Sequence, residues 1–364
     1  MTITDRKALS RELLMSRARP KLLDRAKALA TLSKVYVSTT NDPKVDMEIE
    51  LILSHILNPD TTEGYAVMVT GPSGAGKTTL VNRRLDETPE LAPFDDGYGN
   101  EVQYCLRVIT PAGATVKTLG GAILEATGYP LNKLGDHGDL WLTVRNRLPL
   151  TMHRIIFFDE FQHVLKGPKA KGTAFLTDMI KTLMQNPEWP MWLIFAGVPQ
   201  IEEFVMRDEW LQMDRRVHRI SIDDLIDPWA GIPLDKRDDI DPTTLDWGDV
   251  ENTRNIVEAM AESCDLQVAF PLTDELVRRL MHGGIWRFGM TNQIIKMSIE
   301  HSLWDDGSPG ELRLQHFADG YRRISNCTGA SNVMLVDNWE RIQRQVTVKN
   351  KMMRLTTGFS MRPE

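Results

Sequence analysis

The sequence predicts an α/β protein: a three-layer core built on a parallel sheet, a small all-helical domain after it, and a helical extension before it. Three observations carry this. Short apolar runs near residues 66–69, 154–158 and 191–196 are of the kind buried on both faces of a parallel sheet. Helical stretches alternate with them, which implies right-handed crossovers. From residue 252 to about residue 325 the apolar spacing is helical only.

The elements follow in order. Residues 1–35 carry leucines at helical spacing (Leu9, Leu13, Leu14; Leu22, Leu23, Leu29), with an interruption near Pro20. Asn41-Asp42-Pro43 is a turn, 45–57 resumes a helical pattern, and Asn58-Pro59-Asp60 breaks it. Residues 103–109 read as a strand, 118–127 as a helix stopped by Gly128, and 139–148 as another helix. A strand at 154–158, a helix at 173–184 and a strand at 191–196 complete the core. Residues 226–250 are rich in Pro, Gly and Asp and read as a loop-rich insertion. Helices are expected at 256–261, 274–281, 290–303 and 314–322. The expected organisation is an extension at 1–60, a core at 61–225, an acidic insertion at 226–251, a helical domain at 252–330 and a basic tail at 331–364.

Composition narrows the class. The chain has 364 residues, enough for two domains, and its makeup is that of a soluble globular protein. No apolar run approaches a membrane span, and the first residues have neither a signal-peptide nor a transit pattern. Cys105, Cys264 and Cys327 are scattered without metal-ligand spacing, which suits small buried residues in a reducing cytoplasm. Net charge is −7, yet it is unevenly placed. Residues 223–251 hold ten acidic residues, whereas the tail from Trp339 holds six basic ones. An acidic middle can mask a basic face in the total.

The most specific chemistry lies at 66–79, AVMVTGPSGAGKTT. An apolar run meets Gly71-Pro72-Ser73-Gly74-Ala75-Gly76-Lys77-Thr78-Thr79, which fits the P-loop pattern for nucleoside triphosphates. Gly71, Gly74 and Gly76 let the backbone turn its N–H groups around a phosphate. Lys77 is expected at the β- and γ-phosphates of ATP, and the Thr78 hydroxyl at Mg²⁺. The helix opening near Lys77 adds its positive end.

Hydrolysis needs an acid near the metal and a base for water. The strand Ile155-Ile156-Phe157-Phe158 ends in Asp159-Glu160 and offers both: Asp159 to the Mg²⁺ shell, Glu160 to the attacking water. The next apolar strand is expected beside the P-loop strand. Its tip, Gly197-Val198-Pro199-Gln200, has no Ser, Thr or Asn, which leaves Gln200 as the polar candidate. Arg215 and Arg216 could enter a neighbouring subunit's site, and Arg287, after Gly283-Gly284-Ile285-Trp286, could fold over the phosphates of its own chain. A solvated basic pair and a surface arginine are the plain alternatives.

The P-loop, Asp159-Glu160, the paired arginines and Arg287, in that order, resemble the AAA+ ATPases over roughly residues 45–325. That resemblance makes the core a P-loop AAA+ core and the helical domain its lid. Within the class the chain resembles the TniB/TnsC group of transposition regulators, cousins of MuB. Asn41-Asp42-Pro43, the segment from Thr110-Pro111 through Lys117-Thr118-Leu119 to Gly128-Tyr129-Pro130, and Phe158-Asp159-Glu160-Phe161-Gln162-His163-Val164-Leu165 carry the finer match. Val198 departs from the group, which often has a polar residue there; this bears on hydrolysis more than on binding.

The resemblance implies a bacterial, cytoplasmic ATPase that forms a homo-oligomer, ring or filament, on duplex DNA. It implies recruitment of a DDE transposase, a TniQ-like target selector as partner, and disassembly on hydrolysis. By analogy Lys117 and Thr118 are the first DNA candidates. Lys166, Lys169 and Lys171, in a glycine-proline loop, are the second, and Arg145 and Arg147 are weaker. Lysines at phosphates give sequence-independent binding that salt weakens. Two other readings stay open. A replication initiator or helicase loader predicts a winged-helix domain after the lid, and about 40 residues follow Ser325. A protein-binding NTPase switch predicts assembly indifferent to DNA.

Overall fold

The computed structural model describes residues 3–99, 101–130, 137–166, 170–206 and 213–342. The chain divides into two compact units. One is Ser38–Asp224; the other combines Met1–Val37 with Leu225–Glu364.

In chain order the first helices are α1 (Ile3–Met15), α2 (Pro20–Lys34) and α3 (Asp42–Leu57). Pro20 and Pro43 sit in the first turn of α2 and α3, where a missing N–H leaves no hydrogen bond unmade. The expected N-terminal extension is thus divided: α3 belongs to the first unit, α1 and α2 to the second.

The unit 38–224 then runs β1 (Ala66–Thr70), α4 (Lys77–Glu87), the short antiparallel pair β2 (Phe94–Asp95) and β3 (Glu101–Val102), β4 (Cys105–Ile109), α5 (Val116–Ala126), α6 (His137–Leu150), β5 (Ile155–Asp159), α7 (Ala170–Met184), β6 (Trp192–Gly197), α8 (Glu202–Met206) and β7 (Val217–Ser221). Five strands form one parallel sheet in the order β4-β5-β6-β1-β7. β6 lies beside β1, with Ala66 opposite Leu193 and Thr70 opposite Gly197.

Alternate residues of each strand go to opposite faces, which makes the three layers. Ala66 and Met68 pack with Leu119 and Ile123 of α5, Val144 of α6 and Ile180 of α7. Val67 and Val69 pack with Ile49 and Ile52 of α3 and with Leu80 and Leu85 of α4. Both faces are covered, so the central strands read as unbroken apolar runs. The edge strand β7 was not expected from the sequence: Val217 and Ile220 are buried, but His218 and Arg219 interrupt the run. Cys105 is fully enclosed, and burial pushes its thiol up to about 12, so it serves as a small apolar residue.

The other unit contains α9 (Gly248–Glu262), β8 (Gln267–Val268), α10 (Asp274–Gly283), α11 (Phe288–Trp304), β9 (Glu311–Leu312) and α12 (Leu314–Ser325), with β8 and β9 pairing in parallel. Leu32 of α2 lies in its core with Ile256, Leu280, Ile294 and Tyr321. Arg25 of α2 donates to Leu303 O at 2.8 Å and to Asp306 at 2.9 Å, and lies over the Trp304 ring at 4.9 Å.

The acidic stretch after residue 225 is fastened to this unit. The Arg278 side chain is 8 % exposed and donates to Asp227 at 3.1 Å and to Glu340 at 3.0 Å. Arg237 also donates to Glu340, at 2.7 Å, and its guanidinium lies 5.4 Å over Trp229. Helix α9 begins at Gly248, inside the stretch expected to be loop.

Candidate functional site

The carboxyl edge of the sheet gathers the candidate residues. The P-loop leaves β1 at Gly71, Asp159 closes β5, and Gly197-Val198 closes β6. In open parallel sheets this edge is where ligands bind.

The loop geometry explains its glycines. Gly74 and Gly76 have φ of +85° and +94°, in the left-handed region that side chains disfavour. At Gly71 a Cβ would lie 2.8 Å from Ile222 O, so only glycine fits between the strands there. Gly76 caps α4, whose first residue is Lys77. The Lys77 ammonium donates to Gly71 O at 2.9 Å and Pro72 O at 2.8 Å, which folds it across the loop. Pro72, Ser73 and Ala75 fill the remaining positions of the turn, and Thr79 lies in the first turn of α4.

Thr78 Oγ1 donates to Asp159 Oδ1 at 2.9 Å, although 81 residues separate them. A hydroxyl and a carboxylate in contact at the end of a glycine loop fit the Mg²⁺ of a nucleotide, which keeps several waters and takes few protein ligands. Among the described residues no cluster of three or more His, Cys, Asp or Glu could hold a metal ion without such a nucleotide.

Glu160 follows in a left-handed conformation, φ +55°. Its N–H donates to Asp159 Oδ1 at 2.9 Å and its carbonyl accepts from His163 N at 3.0 Å. Its exposed carboxylate accepts from Gln162 Nε2. Gln162 Oε1 in turn accepts from Val198 N at 3.4 Å. Gln200 is exposed on the 3-10 turn Pro199–Ile201, so the polar group at the tip of β6 is Gln162, from the turn that follows β5. Sequence patterns do not single out this role, since the partner lies 36 residues away.

His163 ties this turn to the start of α5. Its Nδ1 donates to Thr110 O at 3.1 Å, and its carbonyl accepts from Ala114 N at 3.2 Å. Thr115 caps α5: its hydroxyl accepts from Thr118 N at 3.2 Å, and its own N–H donates to Thr118 Oγ1 at 2.8 Å. The Thr118 hydroxyl is therefore occupied in the cap, while Lys117 is exposed in the first turn.

The other candidates are placed as follows. Arg216 pairs with Glu63 at 2.9 Å, whereas Arg215 is exposed on the turn before β7. Arg287 belongs to the second unit, where it precedes α11; Gly284 is needed there, since a Cβ would meet Thr291 Oγ1 at 2.2 Å. Arg145 donates to Asn186 at 3.2 Å and Arg147 to Thr127 O at 3.1 Å. Lys169 and the tail beyond Ile342 lie outside the described residues, and Lys166 and Lys171 are described only as backbone.

Parallel sheet order, glycine loop and the Thr78–Asp159 contact together define a P-loop protein of the AAA+ ATPase fold. Solved structures agree on that fold. ORC2 of Aeropyrum pernix in its ADPNP-ADP complexes has a TM-score of 0.55 at 15 % identity, over 82 % of this chain and 72 % of that one. A. pernix ORC1 in complex with DNA gives 0.54 at 15 %, over 92 % and 83 %, and Cdc6p of Pyrobaculum aerophilum gives 0.51 at 8 %, over 81 % and 70 %. No curated protein matches the chain in sequence. The chain belongs to the family of bacterial TniB proteins, whose sequence profile matches residues 42–225. No helix among the described residues is long and apolar enough to cross a membrane.

Proposed function

We propose that this TniB protein is an ATP-dependent regulator of DNA transposition that assembles on duplex DNA and recruits a DDE transposase, with ATP hydrolysis driving disassembly. The Thr78–Asp159 contact at the end of the glycine loop carries the ATPase part. Membership of the TniB family supports the transposition part.

Residues 71–79 hold the phosphates of ATP through backbone N–H groups and the positive end of α4. Lys77 leaves the carbonyls of Gly71 and Pro72 for the β- and γ-phosphates. Thr78 and Asp159 would hold Mg²⁺, which would supply charge neutralisation on the phosphates. Glu160 orients the attacking water and accepts its proton. Arg215, the exposed member of its pair, acts on the γ-phosphate of a neighbouring subunit. Lys117 at the start of α5 contacts DNA phosphates, together with Lys166, Lys169 and Lys171. Such contacts are independent of sequence and weaken with salt. A TniQ-like selector is the expected second partner.

The test is electron microscopy of the protein with duplex DNA, with ATP or a non-hydrolysable analogue, and with neither. Regular rings or filaments that need both ligands are expected. Monomers under every condition would remove the DNA-assembly reading and leave a nucleotide-binding protein.

A further inference from the structure

Glu160 does not act alone: the geometry points to Gln162 as the residue that positions it and joins it to the tip of β6. Gln162 is fixed at both ends. Its Nε2 donates to the Glu160 carboxylate, and its Oε1 accepts from the Val198 N–H at 3.4 Å. A carboxylate only accepts and a backbone N–H only donates, so the amide has one orientation that satisfies both partners.

Two further features fit this role. Gly197 leaves the space the amide occupies: a Cβ there would lie 2.6 Å from Gln162 Oε1. The tip of β6 has no polar side chain at Val198, and a side chain from the β5 end occupies that place through the backbone instead. Gln162 itself is half-buried, on a 3-10 turn whose Phe161 ring packs 4.2 Å from Phe195 of β6. The turn is therefore packed against β6. Gln162 engages Oε2 of Glu160 and leaves Oε1 for the water. A shift of the β6 tip reaches the Glu160 carboxylate through one side chain.

This inference rests on Glu160 being the group that activates water. The experiment is steady-state ATP hydrolysis in the presence of duplex DNA by the full chain, with nucleotide affinity measured in parallel. Gln162→Ala is expected to lower kcat about tenfold with KM changed less than about twofold, the signature of a misplaced catalytic group. Gln162→Glu keeps the volume, removes the donor and sets a like charge beside Glu160, so it falls at least as far. Gln162→His restores a donor and regains most of the rate. In a Glu160→Gln background, Gln162→Ala adds no further loss, because both changes remove one function.

If Glu160→Gln is inactive while Gln162→Ala turns over at the parental kcat, the role of Gln162 is overturned and that of Glu160 stands. The role of Gln162 is likewise overturned if Gln162→Ala raises KM at constant kcat. Parental turnover by Glu160→Gln overturns the reading of Glu160 itself. Should Gln162→Ala fail to fold, the comparison of the Glu and His variants decides the matter.

Discussion

Glu160 sits with φ at +55°, a conformation that costs an L-residue about 1–2 kcal/mol. Hydrogen bonds from its N–H to Asp159 and from His163 to its carbonyl hold it there. Such outliers gather at sites where placement matters more than local ease. Glu160→Gln keeps this geometry and removes the base. Turnover is expected to fall at least 100-fold while ATP stays bound and the DNA assembly persists, as read by hydrolysis assay and microscopy. Lys77→Ala is expected to abolish nucleotide-dependent assembly, because the loop loses its only side-chain ammonium. At this scale the sequence was legible where chemistry restricts residue type. Phosphate cradling demands glycines at 71, 74 and 76, and they announce themselves. Gln162 stayed hidden, because what matters is a contact with the backbone N–H of Val198, just past the end of β6.

Helix α5 illustrates how an element is held in register with the site. Thr115 and Thr118 satisfy each other's backbone N–H groups, a reciprocal cap that fixes where the helix begins. Ala114, next to the cap, is tied to His163 and thus to the turn that carries Glu160. Thr115→Ala is expected to destabilise the helix start by about 1 kcal/mol. DNA affinity should fall about fivefold, by anisotropy with labelled duplex, with nucleotide affinity unchanged. Unaltered DNA affinity would take Lys117 off the interface. The elements themselves were readable where both faces are buried: β1, β5 and β6 show as unbroken apolar runs. β7 was not readable, since an edge strand with His218 and Arg219 has no continuous run to display.

Across the whole molecule, the division of the chain differs from the order of its segments. An amphipathic helix such as α2 shows an apolar stripe in sequence but not what will cover it. Leu32 finds its partners beyond residue 250, and no local pattern could reveal that. Leu32→Ala is expected to cost ~3 kcal/mol in denaturant unfolding. The loss should appear in the helical unit's transition and spare the P-loop unit's. An equal shift in both transitions would mean that the two unfold as one. A consequence follows for synthesis on the ribosome. The helical unit has its first piece at Met1–Val37 and the rest from Leu225 onward, so α2 emerges long before its cover exists. The P-loop unit, contiguous from 38 to 224, can complete itself in that interval. Its folding draws the ends at 37 and 225 out of a long flexible loop, and the entropy of closing that loop is met before the second core begins to form. The ATPase unit is thereby a folding scaffold for the helices that flank it in sequence.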